Sequence, residues 1–208
     1  KFFEAIAYRS HPQTKTIFEL INSNQFGKIN KIEARFGFKV KRIRPDSRLF
    51  NKKLGGGAIL DLGCYPISFF NLFVDDKKKF EIIDKNIEMS ETGVDIDAKI
   101  YSKIGSDIET FGHVSFKENL ENKCKIFFEN GSIILSNPWL PGKKSLIEVQ
   151  IRKHYYKKTI NSEKDIYSNQ IENITNFFID QNNLKDELLI NIDKSVEIMK
   201  IIDKWKNG

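Results

Sequence analysis

The residues best suited to chemistry lie between Gly55 and Tyr65. A run of three glycines, Gly55 to Gly57, comes before Asp61 and Tyr65. Consecutive glycines are costly in conformational entropy, so they indicate a tight bend or a close approach of the backbone to another group. Asp61 and Tyr65 are four positions apart, which places both side chains on one face of a helix.

A tyrosine in such a place can exchange a proton with a carbonyl or hydroxyl oxygen of a substrate. Its unperturbed pKa of about 10 is too high for neutral pH, so the hydroxyl needs a helper such as a nearby cation. Asp61 could orient a substrate hydroxyl or that cation. The same spacing also fits a local cap at Asp61 and a half-buried core residue at Tyr65, and the spacing alone favours this second interpretation.

A second polar cluster, Tyr8 to Pro12, stands at the end of the apolar residues 1–9, which we predict to form a buried strand. Sites gather at strand ends in α/β proteins, and the planar guanidinium of Arg9 can bind a phosphate or carboxylate. The alternatives are a surface salt bridge for Arg9 and a simple turn role for His11 beside Pro12. The residues of this cluster, taken by themselves, favour the salt bridge and the turn role over a binding site.

A third feature is Trp139, in a rigid loop bounded by Pro138 and Pro141. The loop presents an exposed-looking ring that could form the wall of a sugar pocket. Alternatively, the ring fills the core, and the two interpretations are equally supported.

The elements that must position these residues follow from hydrophobic periodicity. We predict a helix over 13–24, a strand over 29–38, and a helix from Ala58 to about Phe73 that bends at Pro66. Seven strands follow, over 80–90, 95–104, 107–116, 123–129, 132–136, 147–154 and 155–160, with a hairpin turn of the positive-φ type at Asn130-Gly131. Two amphipathic helices, over 169–181 and 190–205, close the chain.

This order predicts an α+β fold in which helices cover one face of a large, mostly antiparallel, open-faced sheet. The other face of the sheet must then be covered by another structure, which in such proteins is usually a partner subunit.

Composition excludes several classes of function. The net charge of +6 is spread over short lysine patches, so neither nucleic-acid nor membrane binding is supported. The three histidines, His11, His113 and His154, lack metal-ligand spacing, so no metal site is predicted. There is no phosphate-binding or dinucleotide-binding glycine loop. Two widely separated cysteines, Cys64 and Cys124, are expected to be free, which suits a cytoplasmic location.

Two segments together resemble a known family. Residues 4–13 (EAIAYRSHPQ) resemble the E-A-x-x-Y-R-x-H-P-Q segment of Gfo/Idh/MocA oxidoreductases, and residues 54–66 (LGGGAILDLGCYP) resemble the family's G-G-G-A-x-x-D-x-G-x-Y-P element. The second segment has the form found in dimeric dihydrodiol dehydrogenases and NADP-dependent sugar dehydrogenases. The similarity extends over nearly all 208 residues.

The resemblance implies an enzyme that transfers a hydride between NAD or NADP and a sugar or related diol, working as a homodimer or higher homo-oligomer through the open sheet face. It implies that Asp61 and Tyr65 are catalytic. Arg9 and His11 would bind at the junction of cofactor and substrate, with Arg9 also contacting the cofactor, and Trp139 would lie near the substrate. A non-catalytic dimerisation or ligand-binding module with the same fold is the alternative.

One departure from the family concerns nucleotide binding. Family members carry a Rossmann domain with a glycine loop and a Glu-Lys-Pro segment before these motifs, and neither is present here. We therefore expect residues 1–12 to be the last strand of a nucleotide-binding domain and residues 13–208 to be the substrate-binding and dimerisation domain. These 208 residues alone are expected to be inactive.

Overall fold

Alternating buried and exposed side chains produce most of the strands in the computed structural model, which describes residues 1–75, 77–179 and 188–208. The chain divides into two compact units. The first unit comprises Lys1–Ile29 and Cys124–Val196, and the second comprises Asn30–Lys123 and Glu197–Gly208.

The second unit is built on four strands in the order β2-β3-β4-β1. Their bounds are Ile29–Gly37 (β1), Phe80–Met89 (β2), Asp95–Ile104 (β3) and Ile108–Ser115 (β4). β1 pairs with β4 in parallel, whereas β3 pairs with β2 and β4 antiparallel. Buried side chains such as Ile32, Ala98 and Val114 form one face of these strands.

Two short helices, α2 (Ala58–Asp61) and α3 (Cys64–Asn71), pack on this buried face, where α2 contacts β3 and both helices contact β4. The C-terminal helix α5 spans Ile192–Asn207. Its fully buried Trp205 donates a hydrogen bond from Nε1 to the Lys99 carbonyl at 3.2 Å, which attaches the end of α5 to β3.

The first unit carries four strands in the order β5-β6-β7-β8. They are Lys123–Phe128 (β5), Gly131–Ser136 (β6), Lys144–Ile151 (β7) and His154–Asn161 (β8). The helices α1 (Pro12–Asn22) and α4 (Ile166–Ile179) and a 3₁₀ helix over Ala7–Ser10 complete this unit. β6–β7 and β7–β8 are antiparallel. The predicted α+β class and the mostly antiparallel strand pairing are confirmed.

Three local predictions were wrong. The apolar run 1–9 is not a continuous strand: Phe3 forms an isolated bridge with Asn191, and Ala7–Ser10 is a 3₁₀ helix. The helix predicted from Ala58 to Phe73 breaks at Leu62–Gly63 rather than bending at Pro66. Pro66 is tolerated because it lies in the first turn of α3, where its missing N–H has no intrahelical acceptor.

The hairpin between β5 and β6 occurs where it was predicted, with its turn at Glu129–Asn130. Positive φ is confined, within the described residues, to other positions, so the predicted positive-φ turn type was wrong. The helix predicted over 169–181 begins earlier, at Ile166, and its predicted last residues lie outside the described residues.

Cys64 and Cys124 are not joined in a disulfide bond. Among the helices that the structure describes, none has the length and apolar character needed to cross a lipid bilayer.

Candidate functional site

The glycine run is explained by close contacts at its second and third members. A Cβ on Gly56 would lie 2.7 Å from the Leu49 carbonyl oxygen, so only glycine lets the two backbone segments approach. Gly57 has φ 124° and ψ 150°, a conformation essentially restricted to glycine. A Cβ there would also collide with the Asp95 carboxylate.

Asp95 occupies that space because it caps α2. Its Oδ2 accepts a hydrogen bond from the Ile59 backbone N–H at 2.6 Å, and its side chain is buried. A carboxylate at a helix N-terminus satisfies an otherwise unpaired N–H and interacts favourably with the helix dipole. Asp95 therefore anchors the start of α2 to β3, and the end of α2 presents Asp61.

Asp61 is held by an arginine from the loop that precedes the glycines. Arg48 Nη1 donates to Asp61 Oδ1 at 2.5 Å, and the Asp61 side chain is 19% exposed whereas that of Arg48 is 69% exposed. A guanidinium is a planar donor that suits a carboxylate. The sequence hypothesis that Asp61 orients a cation has a concrete candidate in Arg48.

Tyr65 lies one turn beyond Asp61, in the first turn of α3. Leu62 and Gly63 keep right-handed helical dihedral angles across the break between α2 and α3, and the Tyr65 N–H bonds to the Leu62 carbonyl at 3.2 Å. The half-buried Tyr65 ring packs edge-to-face on Phe36 of β1, with centroids 5.1 Å apart. The packing fixes the ring plane, while partial burial keeps an exposed part of the side chain.

Arg9 and His11 lie in the first unit, so the two predicted groups of site residues belong to different units. Arg9 is almost fully buried within the 3₁₀ helix Ala7–Ser10, which rules out the surface salt bridge considered for it. Next to it, the Thr14 hydroxyl donates to the Tyr8 carbonyl at 2.7 Å and ties the 3₁₀ helix to α1.

His11 is the N-cap of α1. Its Nδ1 accepts a hydrogen bond from the Gln13 N–H at 3.0 Å, which assigns the ring proton to Nε2. Burial lowers the pKa of His11 below its ordinary value, and the Gly142 backbone opposes that shift. The ring is therefore neutral at pH 7.

Close to this cap the structure buries polar atoms that the sequence did not predict. Over the described ranges 1–75, 77–179 and 188–208, the side-chain amide atoms of Gln13 have no hydrogen-bond partner. Within the same ranges His11 Nε2 also makes no hydrogen bond of normal geometry, and only the Gly142 backbone lies near enough to affect the ring. Buried polar atoms without partners are costly, so they mark a place where a polar ligand would be favoured.

Trp139 fills the core of the first unit. It is completely buried, and its ring packs edge-to-face on Tyr8 with centroids 5.3 Å apart. The structure therefore bears out the core alternative for its ring, and a role near a substrate stays a prediction.

Three contributors escaped the sequence analysis. Asp95 is distant in sequence from the helix it caps, and Gln13 has no chemical signature beyond its place in the H-P-Q segment. Arg48 lies in an irregular loop with other basic residues, such as Arg42 and Arg44, from which its type does not distinguish it.

The sequence profile of the GFO/IDH/MocA C-terminal domain matches residues 14–134, more than half of the chain. The chain belongs to the Gfo/Idh/MocA family. The resemblance inferred from residues 4–13 and 54–66 is thereby confirmed.

Curated relatives and a solved structure agree with membership of the Gfo/Idh/MocA family. The chain is 28% identical to trans-1,2-dihydrobenzene-1,2-diol dehydrogenase of Xenopus tropicalis over 139 residues, which cover 66% of the chain and 41% of that protein. It is 35% identical to D-xylose 1-dehydrogenase (NADP(+)) 2 of Haloferax volcanii over 71 residues, 34% of the chain and 21% of that protein.

A 3-ketoreductase from Actinomadura kijaniata, solved with NADP and TDP-benzene, superposes with a TM-score of 0.81 at 15% identity. The match covers 100% of this chain and 62% of the ketoreductase, so it shows a shared fold. The chain thus spans well under two thirds of the length of its relatives.

Proposed function

We propose that this chain is the substrate-binding half of an NAD(P)-dependent oxidoreductase in which Tyr65 transfers the proton of a substrate hydroxyl. The observation that carries the proposal is the α2–α3 corner. Asp95 and Gly57 fix its start, Arg48 holds Asp61, and Tyr65 follows one turn later.

The chemistry of this corner is proton transfer. When a substrate alcohol is oxidised, the Tyr65 phenolate takes the hydroxyl proton and becomes the phenol, and in the reverse direction the Tyr65 phenol gives that proton to the carbonyl oxygen and becomes the phenolate. Asp61, oriented by Arg48, accepts a hydrogen bond from a second hydroxyl and so positions the substrate carbon. NAD(P), when bound, supplies or accepts the hydride.

The buried polar groups of the first unit fit a cofactor–substrate junction. His11 offers a neutral Nε2–H donor, and the Gln13 amide offers a donor and an acceptor without partners in the described part of the chain. Arg9 supplies a permanent positive charge suited to an anionic group of the cofactor. These three residues would hold the polar parts of the bound molecules.

We propose a sugar or related cyclic diol as substrate, and NAD or NADP as cofactor. The support is the similarity to a dihydrodiol dehydrogenase and to an NADP(+)-dependent D-xylose dehydrogenase. We also propose that residues 1–12 complete a nucleotide-binding domain encoded before them, that residues 13–208 form the substrate-binding and dimerisation domain, and that the protein is cytoplasmic.

Dimerisation is proposed through the face of the second unit opposite α2 and α3. Arg35 stacks over the Phe111 ring at 5.8 Å, and Tyr101 packs against the same ring at 4.9 Å. These side chains border an open depression of about 400 Å³, together with Lys31 and Glu33. Tyr101 is exposed, whereas Arg35 and Phe111 are half-buried. Tyrosine, phenylalanine and arginine are enriched in protein interfaces, which supports a second copy as the partner.

The decisive experiment compares Tyr65→Phe with wild type in the protein expressed from its complete reading frame. NAD(P)H-linked turnover is measured on a panel of aldoses and cyclic diols. Removing one hydroxyl that acts as general acid/base should lower kcat by about 10²–10⁴-fold with little effect on folding. Tyr167→Phe, at an exposed tyrosine, is the matched control and should keep full activity.

Unchanged kcat in Tyr65→Phe would exclude Tyr65 as the proton-transfer group. If the complete protein reduces no nicotinamide with any member of the panel but binds a sugar through these residues, the non-catalytic ligand-binding module becomes the better description.

A further inference from the structure

A histidine and two carboxylates converge at one end of β3 and β4. Asp97 of β3 pairs with Ser115 of β4, and His113 precedes Ser115 by two residues on the same strand. Side chains two residues apart point to the same face, so Asp97 and His113 are diagonal neighbours. Glu118 follows in the loop after β4.

The ligand atoms of these three side chains lie within 4.8 Å of one another. His113 Nε2 is 2.9 Å from Asp97 Oδ2 and 3.9 Å from Glu118 Oε1. Ligand atoms around an ion with bonds of about 2.1 Å are roughly 3.0–3.4 Å apart, so the observed separations bracket the required ones. A small movement of Glu118 completes the set.

Two of the three side chains are buried, and the third is exposed to solvent. The side chains of His113 and Asp97 are 8% and 11% exposed, whereas that of Glu118 is 59% exposed. Two ligands are therefore already desolvated and fixed, and the third is an arm open to solvent. The Ser115 hydroxyl accepts hydrogen bonds from the N–H groups of Lys117 and Glu118, at 3.0 and 3.2 Å, and holds the base of that arm.

Several charged groups surround the cluster. Lys117 Nζ binds Glu88 at 2.7 Å, and that hydrogen bond is the main cause of the raised pKa of Lys117, to which Asp97 and Glu118 also contribute. Lys99 and Arg35 are the register partners of His113 on the two flanking strands. These cations weaken the attraction of the cluster for a metal ion.

We propose that Asp97, His113 and Glu118 bind a divalent transition-metal ion of the zinc class. One imidazole nitrogen and two carboxylate oxygens suit Zn²⁺ and leave a fourth position for water. On binding, the neutral imidazole places its proton on Nδ1, and Nε2 and Asp97 Oδ2 turn from each other to the ion. The ion would tie β3, β4 and the following loop together, independently of the proposed oxidoreductase activity.

The site is tested by titrating Zn²⁺ into chelator-treated protein by calorimetry, with the visible absorption of Co²⁺ as a second readout. Glu118→Gln is the main variant because an exposed glutamate can be replaced without harm to the core. It should weaken Zn²⁺ binding by about tenfold or more. Glu91→Gln, at an exposed turn of the same unit, is the matched control and should bind as wild type.

Lys117→Gln provides a test in the opposite direction. Removing a positive charge near the cluster should tighten binding by about fivefold, the scale expected for a unit charge roughly 8 Å from a divalent ion in water. Binding of similar strength in wild type and Glu118→Gln, or no saturable binding with a dissociation constant below about 0.1 mM, would overturn the proposal. Loss of binding in His154→Asn would assign the ion to a surface histidine and equally overturn it.

Discussion

Replacing Gly57 by alanine should destabilise the second unit far more than a usual glycine-to-alanine change at positive φ. The Gly57 backbone conformation costs an L-residue about 1–3 kcal/mol. The added Cβ would also collide with the Asp95 carboxylate, and losing the cap of α2 costs about 0.5–2 kcal/mol. The free energy of unfolding should therefore fall by about 1.5–5 kcal/mol.

The matched control is Gly93→Ala. Gly93 also has positive φ, at 76°, but nothing lies within 4 Å of its added Cβ, so only the conformational cost of about 1–2 kcal/mol applies. Urea unfolding of both variants can be followed by the fluorescence of the two buried tryptophans, Trp139 and Trp205.

A double-mutant cycle with Asp95→Ala isolates the collision. Because the carboxylate is the obstacle, Gly57→Ala combined with Asp95→Ala should cost less than the two single changes together, by about 1 kcal/mol. The reasoning is refuted if Gly57→Ala is no more destabilising than Gly93→Ala, or if the effects of Gly57→Ala and Asp95→Ala simply add.

Two further perturbations test the first unit. Folding lowers the pKa of His11, so the unfolded chain binds more protons, and the free energy of unfolding should fall as the pH drops below about 6.5, by at most about 1.4 kcal/mol per pH unit. His11→Asn keeps an N-cap residue and should reduce the change in the free energy of unfolding, measured by urea, between pH 7 and pH 5. The control His154→Asn should leave that change as in wild type. Trp139→Ala should lower the free energy of unfolding by about 3–5 kcal/mol because the ring is buried against Tyr8. The control Leu140→Ala, at an exposed neighbour, should change the melting temperature little. Equal changes of melting temperature in the two variants would contradict the assignment of Trp139 to the core.

The strands were predictable where one face of the strand is buried and the other is exposed to solvent. β3 has the predicted bounds, Asp95–Ile104, because Ala98, Ile100 and Ile104 alternate with more exposed residues. Alternation of this kind specifies a strand from local sequence alone. The four-stranded order of each unit depends on long-range pairing, such as the parallel pairing of β1 with β4, and no local pattern encodes it.

Short apolar segments were less predictable. Residues 1–9 contain too few positions to separate strand from helix periodicity, and tertiary contacts decide the outcome. The Glu4 N–H bonds to the Ile190 carbonyl at 2.8 Å, and the Gln170 side chain donates to the Glu4 carbonyl at 2.8 Å. Such contacts satisfy the backbone without a strand partner along the whole segment.

The sequence indicated the candidate residues Asp61 and Tyr65 but not the residues that hold this part of the chain in place. Asp61 and Tyr65 became candidates through the family resemblance of residues 54–66, since their spacing alone favoured a structural role. Asp95 reaches the start of α2 from a strand, and Arg48 reaches Asp61 from a loop, and the sequence could not place either element in space. The proposed cluster of Asp97, His113 and Glu118 could not be predicted for the same reason: Asp97 and His113 become neighbours only through the register of β3 with β4.

The glycine-rich element therefore combines two separable requirements. Gly56 and Gly57 are explained by contacts with backbone and with the Asp95 cap, which shape the corner regardless of any reaction. The edge-to-face contact with Phe36 does not depend on the Tyr65 hydroxyl, because a phenylalanine ring at position 65 would make the same contact. A change at Gly57 should consequently alter stability and activity together, whereas Tyr65→Phe should lower activity much more than stability, and comparing the two variants separates residues that shape the corner from the residue that transfers the proton.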